Sequence, residues 1–147
     1  MLIGIDPKLP PDLLDCLMRM GHGDEIVIAD ANFPATSTAA QTLWGEAIQM
    51  TGFDAPAVAK LITGLMPLDA VSDACAYRME IDDAPEELGD VHHEVFAVLE
   101  AAMPQGAQLA SIERQDFYRR AAEAFAVVRS TEARPFGCFI LRKGVIF

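Results

Sequence analysis

A chain of 147 residues can bury roughly two-thirds of the surface its unfolded form exposes, so a single domain over residues 1–147 is expected, with no need of a disulfide or a structural metal. Apolar residues make up 52% of the chain and charged residues 22%, which excludes an intrinsically disordered polymer. Acidic residues outnumber basic ones 22 to 11, and the net charge of −11 repels phosphate backbones and anionic headgroups, which excludes nucleic acid and membrane surfaces as expected partners.

Pro10, Pro11 and Asp12 make a helix start, with Leu13, Leu14, Leu17 and Met18 as its apolar face and Gly21 as its stop. Gly21-His22-Gly23-Asp24 is turn chemistry. Glu25 to Ala29 is a β-branched run suited to a buried strand, broken by Asp30-Ala31-Asn32-Phe33-Pro34. A short strand is read within Thr42 to Met50, interrupted by Trp44-Gly45. Asp54 caps a helix through Leu65 with Val58, Leu61, Ile62 and Leu65 as its stripe. Cys75 to Ile81 reads as a strand, Asp82 to Gly89 as an acidic loop, and Asp90 as the cap of a helix to about Met103, ended by Pro104 and Gly106. His92 and His93, just after that cap, read as solvated. Ala107 to Ile112, Ala124 to Val128 and Gly137 to Leu141 are expected strands, with a short helix over Gln115 to Ala122 and a turn at Lys143-Gly144.

Helices that alternate with nearly continuous apolar strands imply a sheet covered on both faces. The expected fold is a three-layer α/β/α domain with a central mixed sheet. Seven of the eleven basic residues lie from Arg114 onward, and none falls between Arg78 and Arg114, so an acidic segment can face a basic C-terminal third within or between subunits. Cys16, Cys75 and Cys138 are odd in number and widely spaced, which points away from disulfides and CxxC metal sites and toward a reducing, cytoplasmic compartment. The N-terminus lacks the apolar run of a signal peptide, and no stretch approaches the ~20 apolar residues of a membrane helix.

Candidate site residues start with His22. Two flanking glycines let the backbone turn sharply and leave the imidazole clear, and its ordinary pKa near neutrality lets it give and take a proton. A surface turn histidine is the bland alternative, and a metal pair with Asp24 lacks companion ligands. Asp30 ends a buried strand, where open α/β sheets gather ligands, although an Asx turn is the commoner role. Eight extended residues would part it from His22 by roughly 26 Å. Either the glycine turn folds back or two subunits share each site. Arg114 and Tyr118 offer donors and a ring to a polyhydroxy ligand. Cys138, in an apolar run, reads as core.

The segment Met20 to Ala35 closely resembles the signature of the RbsD/FucU family, the D-ribose pyranases and L-fucose mutarotases. So do Phe117-Tyr118, Ala124 to Val128, Gly137, and Arg142 to Val145. Arg114 followed by Phe117-Tyr118 is similar to the fucose branch. The resemblance implies His22 as the catalytic acid/base and Asp30 and Arg114 as sugar-binding residues, with no metal and no cofactor. The family's substrate-contacting triplet, normally Tyr-Gly-Asn in the fucose branch, corresponds to Phe136-Gly137-Cys138, which lacks the hydroxyl and the amide. An unpartnered buried sugar hydroxyl costs about 1–3 kcal/mol, enough to shift substrate preference about tenfold. The resemblance also implies ring-based homo-oligomers, commonly decamers, with sites at subunit contacts.

The function so implied is anomer interconversion of a free monosaccharide, L-fucose or a related sugar, by acid/base-assisted ring opening and closure. Three alternatives stay open: a D-ribose pyranase-type pyranose/furanose isomerase, a non-catalytic or regulatory sugar-binding module linked to uptake, and a structural oligomer subunit without a ligand.

Overall fold

The structure, a computed structural model, describes residues 1–146. In chain order its elements are α1 (Pro11–Arg19), β1 (Glu25–Ala29), α2 (Ala35–Ala39), β2 (Ala47–Gln49), α3 (Ala55–Thr63), β3 (Ala76–Met79), α4 (Asp90–Ala102), β4 (Leu109–Ile112), α5 (Arg114–Glu123), β5 (Ala126–Arg129) and β6 (Phe139–Arg142). One six-stranded sheet has the order β2-β5-β1-β6-β3-β4. β6 runs antiparallel to both β1 and β3, while the other pairs are parallel. Five strands therefore point one way and β6 the other, which is the expected mixed sheet.

The strand period of two divides the core. Ile26 and Ile28 of β1 face a layer of α1, α3 and α4, packing with Leu13, Val58, Ile62, Val95 and Leu99. Val27 and Ala29 face the opposite layer, with Ala35 and Ala39 of α2 and Phe117 and Ala121 of α5. Both faces are covered, so the run Glu25 to Ala29 is apolar throughout rather than alternating.

Local chemistry sets the helix ends. Asp54 caps α3, its carboxylate accepting the Ala57 N–H at 3.0 Å. The residue outside α4 is Gly89 rather than Asp90. Met18 of α1, expected on the buried stripe, is instead exposed. α2 was not anticipated, because Ala-Thr-Ser-Thr-Ala is too short to show a helical period.

His92 corrects the reading of a solvated helix residue: it is fully buried. Its Nδ1 accepts the N–H of Gly89 at 3.0 Å, closing the first turn of α4.

Candidate functional site

Because β1 to β5 share a direction, their carboxyl ends gather at one edge of the sheet. A cavity of about 150 Å³ lies there, lined by Asp30, Asn32, Phe33, Met79, Arg114, Tyr118, Pro135, Phe136 and Cys138. Asp30 follows β1, Met79 ends β3, Arg114 follows β4, and Cys138 precedes β6. Five of the seven site residues expected from the sequence thus meet in one place, at the kind of strand-end crevice where α/β sheets bind ligands.

Asp30 is nearly buried, and its Oδ1 accepts the N–H groups of Asn32 and Phe33 at 2.9 Å each. The Asx turn is therefore present, and it fixes the orientation of the carboxylate. Oδ2 takes no hydrogen bond among the described residues and is not sealed from solvent. Arg114 opens α5, where Nε donates to Asp82 Oδ1 at 2.8 Å, and its guanidinium stands 5.8 Å from the centre of the Tyr118 ring. Tyr118 in turn lies 5.3 Å, centre to centre, from Phe33. Fixed donors beside an aromatic face suit a polyhydroxy ring.

The far wall is less polar. The Cys138 sulfur accepts the Asp30 N–H at 3.4 Å, and burial pushes the thiol well above its ordinary pKa, with the Asp30 charge adding to the effect. It is a neutral packing group, not a nucleophile. Phe136 has a φ of +58°, a left-handed conformation that costs roughly 1–3 kcal/mol in a non-glycine residue. Gly137 stands behind this wall rather than in it. A Cβ at that position would meet Glu132 Cγ at 2.7 Å and the Arg134 carbonyl at 3.1 Å.

His22 lies elsewhere. It precedes β1 at the amino-terminal edge of the sheet, where the Gly23 N–H is tied to the Lys143 carbonyl at 2.9 Å. The glycine turn, with Gly23 at φ +85°, does not fold back toward Asp30. Asp24 turns inward to accept the Gly21 N–H at 2.7 Å, so it is not paired with the imidazole.

The imidazole, 45% exposed, places Nε2 3.1 Å from Oδ1 of Asp69, a side chain only 2% exposed. Burial alone would raise the Asp69 carboxyl, but hydrogen bonds from Ser72, Val71 and His22 outweigh it and hold the group well below the usual carboxylate range. Arg142 Nε stands 3.3 Å from Oδ2. A permanently ionised acceptor keeps a proton on Nε2 and leaves Nδ1 as the nitrogen that can exchange one.

Asp69 escaped the sequence reading because it lies 47 residues from His22. The two are brought together at the end of β6, where the Arg142 carbonyl accepts the Asp69 N–H at 3.0 Å and the Lys143 carbonyl accepts the Gly23 N–H at 2.9 Å. Asn32 and Phe33 sit within the Met20 to Ala35 signature. Met79 and Pro135 carried no sequence signal.

Residues 3–146 match the model of the RbsD / FucU transport protein family. A Haemophilus influenzae protein named L-fucose mutarotase is 41% identical over 145 residues, 99% of this chain and 97% of its own length. A human protein named fucose mutarotase is 42% identical over 148 residues, 99% of this chain and 94% of its own. The crystal structure of the fucose mutarotase from Streptococcus pneumoniae in complex with L-fucose superposes with a TM-score of 0.88 at 34% identity, covering 99% of this chain and 100% of that one. Bacillus subtilis RbsD complexed with D-ribose shares the fold, with a TM-score of 0.73 at 23% identity over all of both chains.

Proposed function

The chain belongs to the RbsD/FucU family, and from that premise we propose that it is a sugar mutarotase acting on L-fucose or a related monosaccharide. One domain carries two half-sites, and a complete site forms where two copies meet. The observation that carries this reading is the separation of His22 from the cavity at Asp30: each edge of the sheet holds half of the chemistry.

Ring opening needs a proton on the ring oxygen and one taken from the anomeric hydroxyl; the open carbonyl form rotates and recloses on its other face. His22, as the imidazolium, donates its Nδ1 proton to the ring oxygen while a second group or a water takes the proton of the anomeric hydroxyl. At closure Nδ1 recovers its proton from the hydroxyl that re-forms the ring and the second group returns its own to the carbonyl oxygen, with Asp69 holding the imidazole through Nε2. Asp30 Oδ2 and the terminal nitrogens of Arg114 take sugar hydroxyls, and the sugar's apolar face lies against Tyr118 and Phe136. Gly137 and Cys138 shape that wall. A neighbouring copy brings its His22 edge to this cavity, in a ring-based homo-oligomer of the decameric kind, working in the cytoplasm.

Saturation-transfer NMR of sugar anomers tests both parts. His22→Ala lowers the exchange rate by about 10² to 10⁴; full retained exchange would overturn the assignment. His22→Ala and Asp30→Asn chains are each inactive alone, whereas equal amounts refolded together recover about a quarter of wild-type activity, since random neighbours pair an intact His22 with an intact Asp30 in that fraction of contacts. No recovery would place both residues in one chain's site.

A sugar-binding module without catalysis is the second reading, favoured by a wall with neither hydroxyl nor amide at positions 136 and 138. It predicts calorimetric binding of L-fucose with no faster anomer exchange.

A further inference from the structure

Both ring nitrogens of the buried His92 are committed. Nδ1 accepts the Gly89 N–H at 3.0 Å, and Nε2 lies 2.9 Å from the carbonyl oxygen of Phe136. A donor facing one nitrogen and an acceptor facing the other fix a single state, neutral with the proton on Nε2. Burial lowers the pKa of this ring and outweighs the hydrogen bond to the Phe136 carbonyl, which raises it; the nearby charges of Arg78 on β3 and His93 on α4 add to the lowering. Phe139 packs against the ring edge-on, 5.9 Å between centres.

The residue it reaches is strained, one of two described non-glycine residues with a positive φ, the other being Asp83. Phe136 keeps φ at +58° and lines the cavity, and a bulky aromatic stays left-handed only where its surroundings over-determine it. Behind Phe136, Glu132 and the Arg134 carbonyl occupy the space a Cβ at Gly137 would need. Among the described residues, His92 is the one side chain that hydrogen-bonds the Phe136 backbone. It does not itself line the cavity.

We propose that His92 is a positioning residue for the sugar site: by donating Nε2–H to the Phe136 carbonyl it holds the turn after Pro135 left-handed and so sets the aromatic wall opposite Asp30. This rests on the cavity being the sugar pocket proposed above. Specificity then depends on a helix residue that never meets the ligand. His92 joins α4, on one face of the sheet, to the strand-end edge where the ligand sits.

Two near-isosteric replacements separate the two hydrogen bonds. In His92→Gln the amide nitrogen takes the place of Nε2 and keeps the donor to Phe136, while the Gly89 bond is lost. In His92→Asn the amide oxygen takes the place of Nδ1 and keeps the Gly89 bond, while the link to Phe136 is lost. Both variants lose thermal stability. The Asn variant raises KM for the sugar about tenfold with kcat within about twofold of wild type, and the Gln variant keeps KM within about twofold.

Equal KM changes in the two variants, or changes that follow their melting temperatures, would overturn the proposal. A crystal structure of the Asn variant with Phe136 still near φ +58° would overturn it too. If the wild-type protein accelerates no anomer exchange, the mutarotase reading fails by itself. Phe136 in that crystal structure still decides the role of His92: departure from the left-handed region supports it.

Discussion

At the residue scale the proposed chemistry depends on which nitrogen of His22 carries its proton. A neutral imidazole in solution mixes two tautomers; a buried ionised carboxylate at one nitrogen selects one of them. Asp69→Asn removes that charge and offers a mixed donor and acceptor instead, so the ring loses its fixed tautomer. We expect kcat to fall by about 10 to 10³ with KM nearly unchanged, because Asp69 lies outside the cavity at Asp30. Steady-state anomer exchange measured across sugar concentrations checks this, and a raised KM at constant kcat would contradict it. His22 was legible from its glycine turn and its place in the family signature. Asp69 was not: a lone aspartate after Pro67-Leu68 has no local pattern, and it meets His22 only once Leu68 and Asp69 pair with Lys143 and Arg142 at the end of β6.

At the element scale, caps and stops carried most of the readable information. Asp54 before Ala55-Pro56 places the start of α3 correctly, since its carboxylate satisfies a backbone N–H the helix cannot. Asp54→Ala should cost about 1 kcal/mol, a fall in melting temperature of roughly 3–5 °C for a chain of this size; calorimetry that found no fall would show the cap to be dispensable.

Gly137 is constrained from a different direction. It lacks room for a Cβ rather than needing a positive φ, so Gly137→Ala should destabilise by about 1–3 kcal/mol and displace the Phe136 wall. Denaturant unfolding checks the first part, and weakened sugar binding the second. α4 shows the limit of local reading. Its polar histidine pair looks like an exposed first turn, yet His92 is held inside by two backbone partners, one of them 44 residues distant.

At the scale of the whole molecule, buried carboxylates tie the edges of the sheet to the layers. Glu132, 3% exposed at its side chain, is gripped by Arg134, which also reaches Glu94 on α4 at 2.8 Å. The Arg134 hydrogen bond is the main reason the Glu132 carboxyl falls to about 2, against burial, which raises it; the N–H groups of Arg134 and Ala55 add to the lowering. A group depressed on folding stabilises the fold above its unfolded pKa, and that stability is lost as pH falls through the folded value. For Glu132 the window runs from about pH 4.5 down to about 2, with on the order of 3 kcal/mol at stake. Melting temperature should therefore decline across this window, and Glu132→Gln should flatten the decline while lowering stability at pH 7. Parallel acid limbs in the two proteins would rule out Glu132 as a contributor.

The sequence by itself determined the layer architecture, because buried β-branched runs and amphipathic stretches between proline, glycine and aspartate signals are set by neighbours in the chain. It also offered Asp30, Arg114 and Tyr118 as candidates, with Phe136 and Cys138 added by the family resemblance, and these five line one cavity. Only the tertiary structure decided that β6 runs against its neighbours, that His22 and Asp30 stand at opposite edges, that Asp69 meets His22, and that His92 is buried against the Phe136 carbonyl. Those four facts depend on pairings between segments far apart in the chain. Local propensity carries no record of strand direction, or of which distant carboxylate or carbonyl a buried histidine will find.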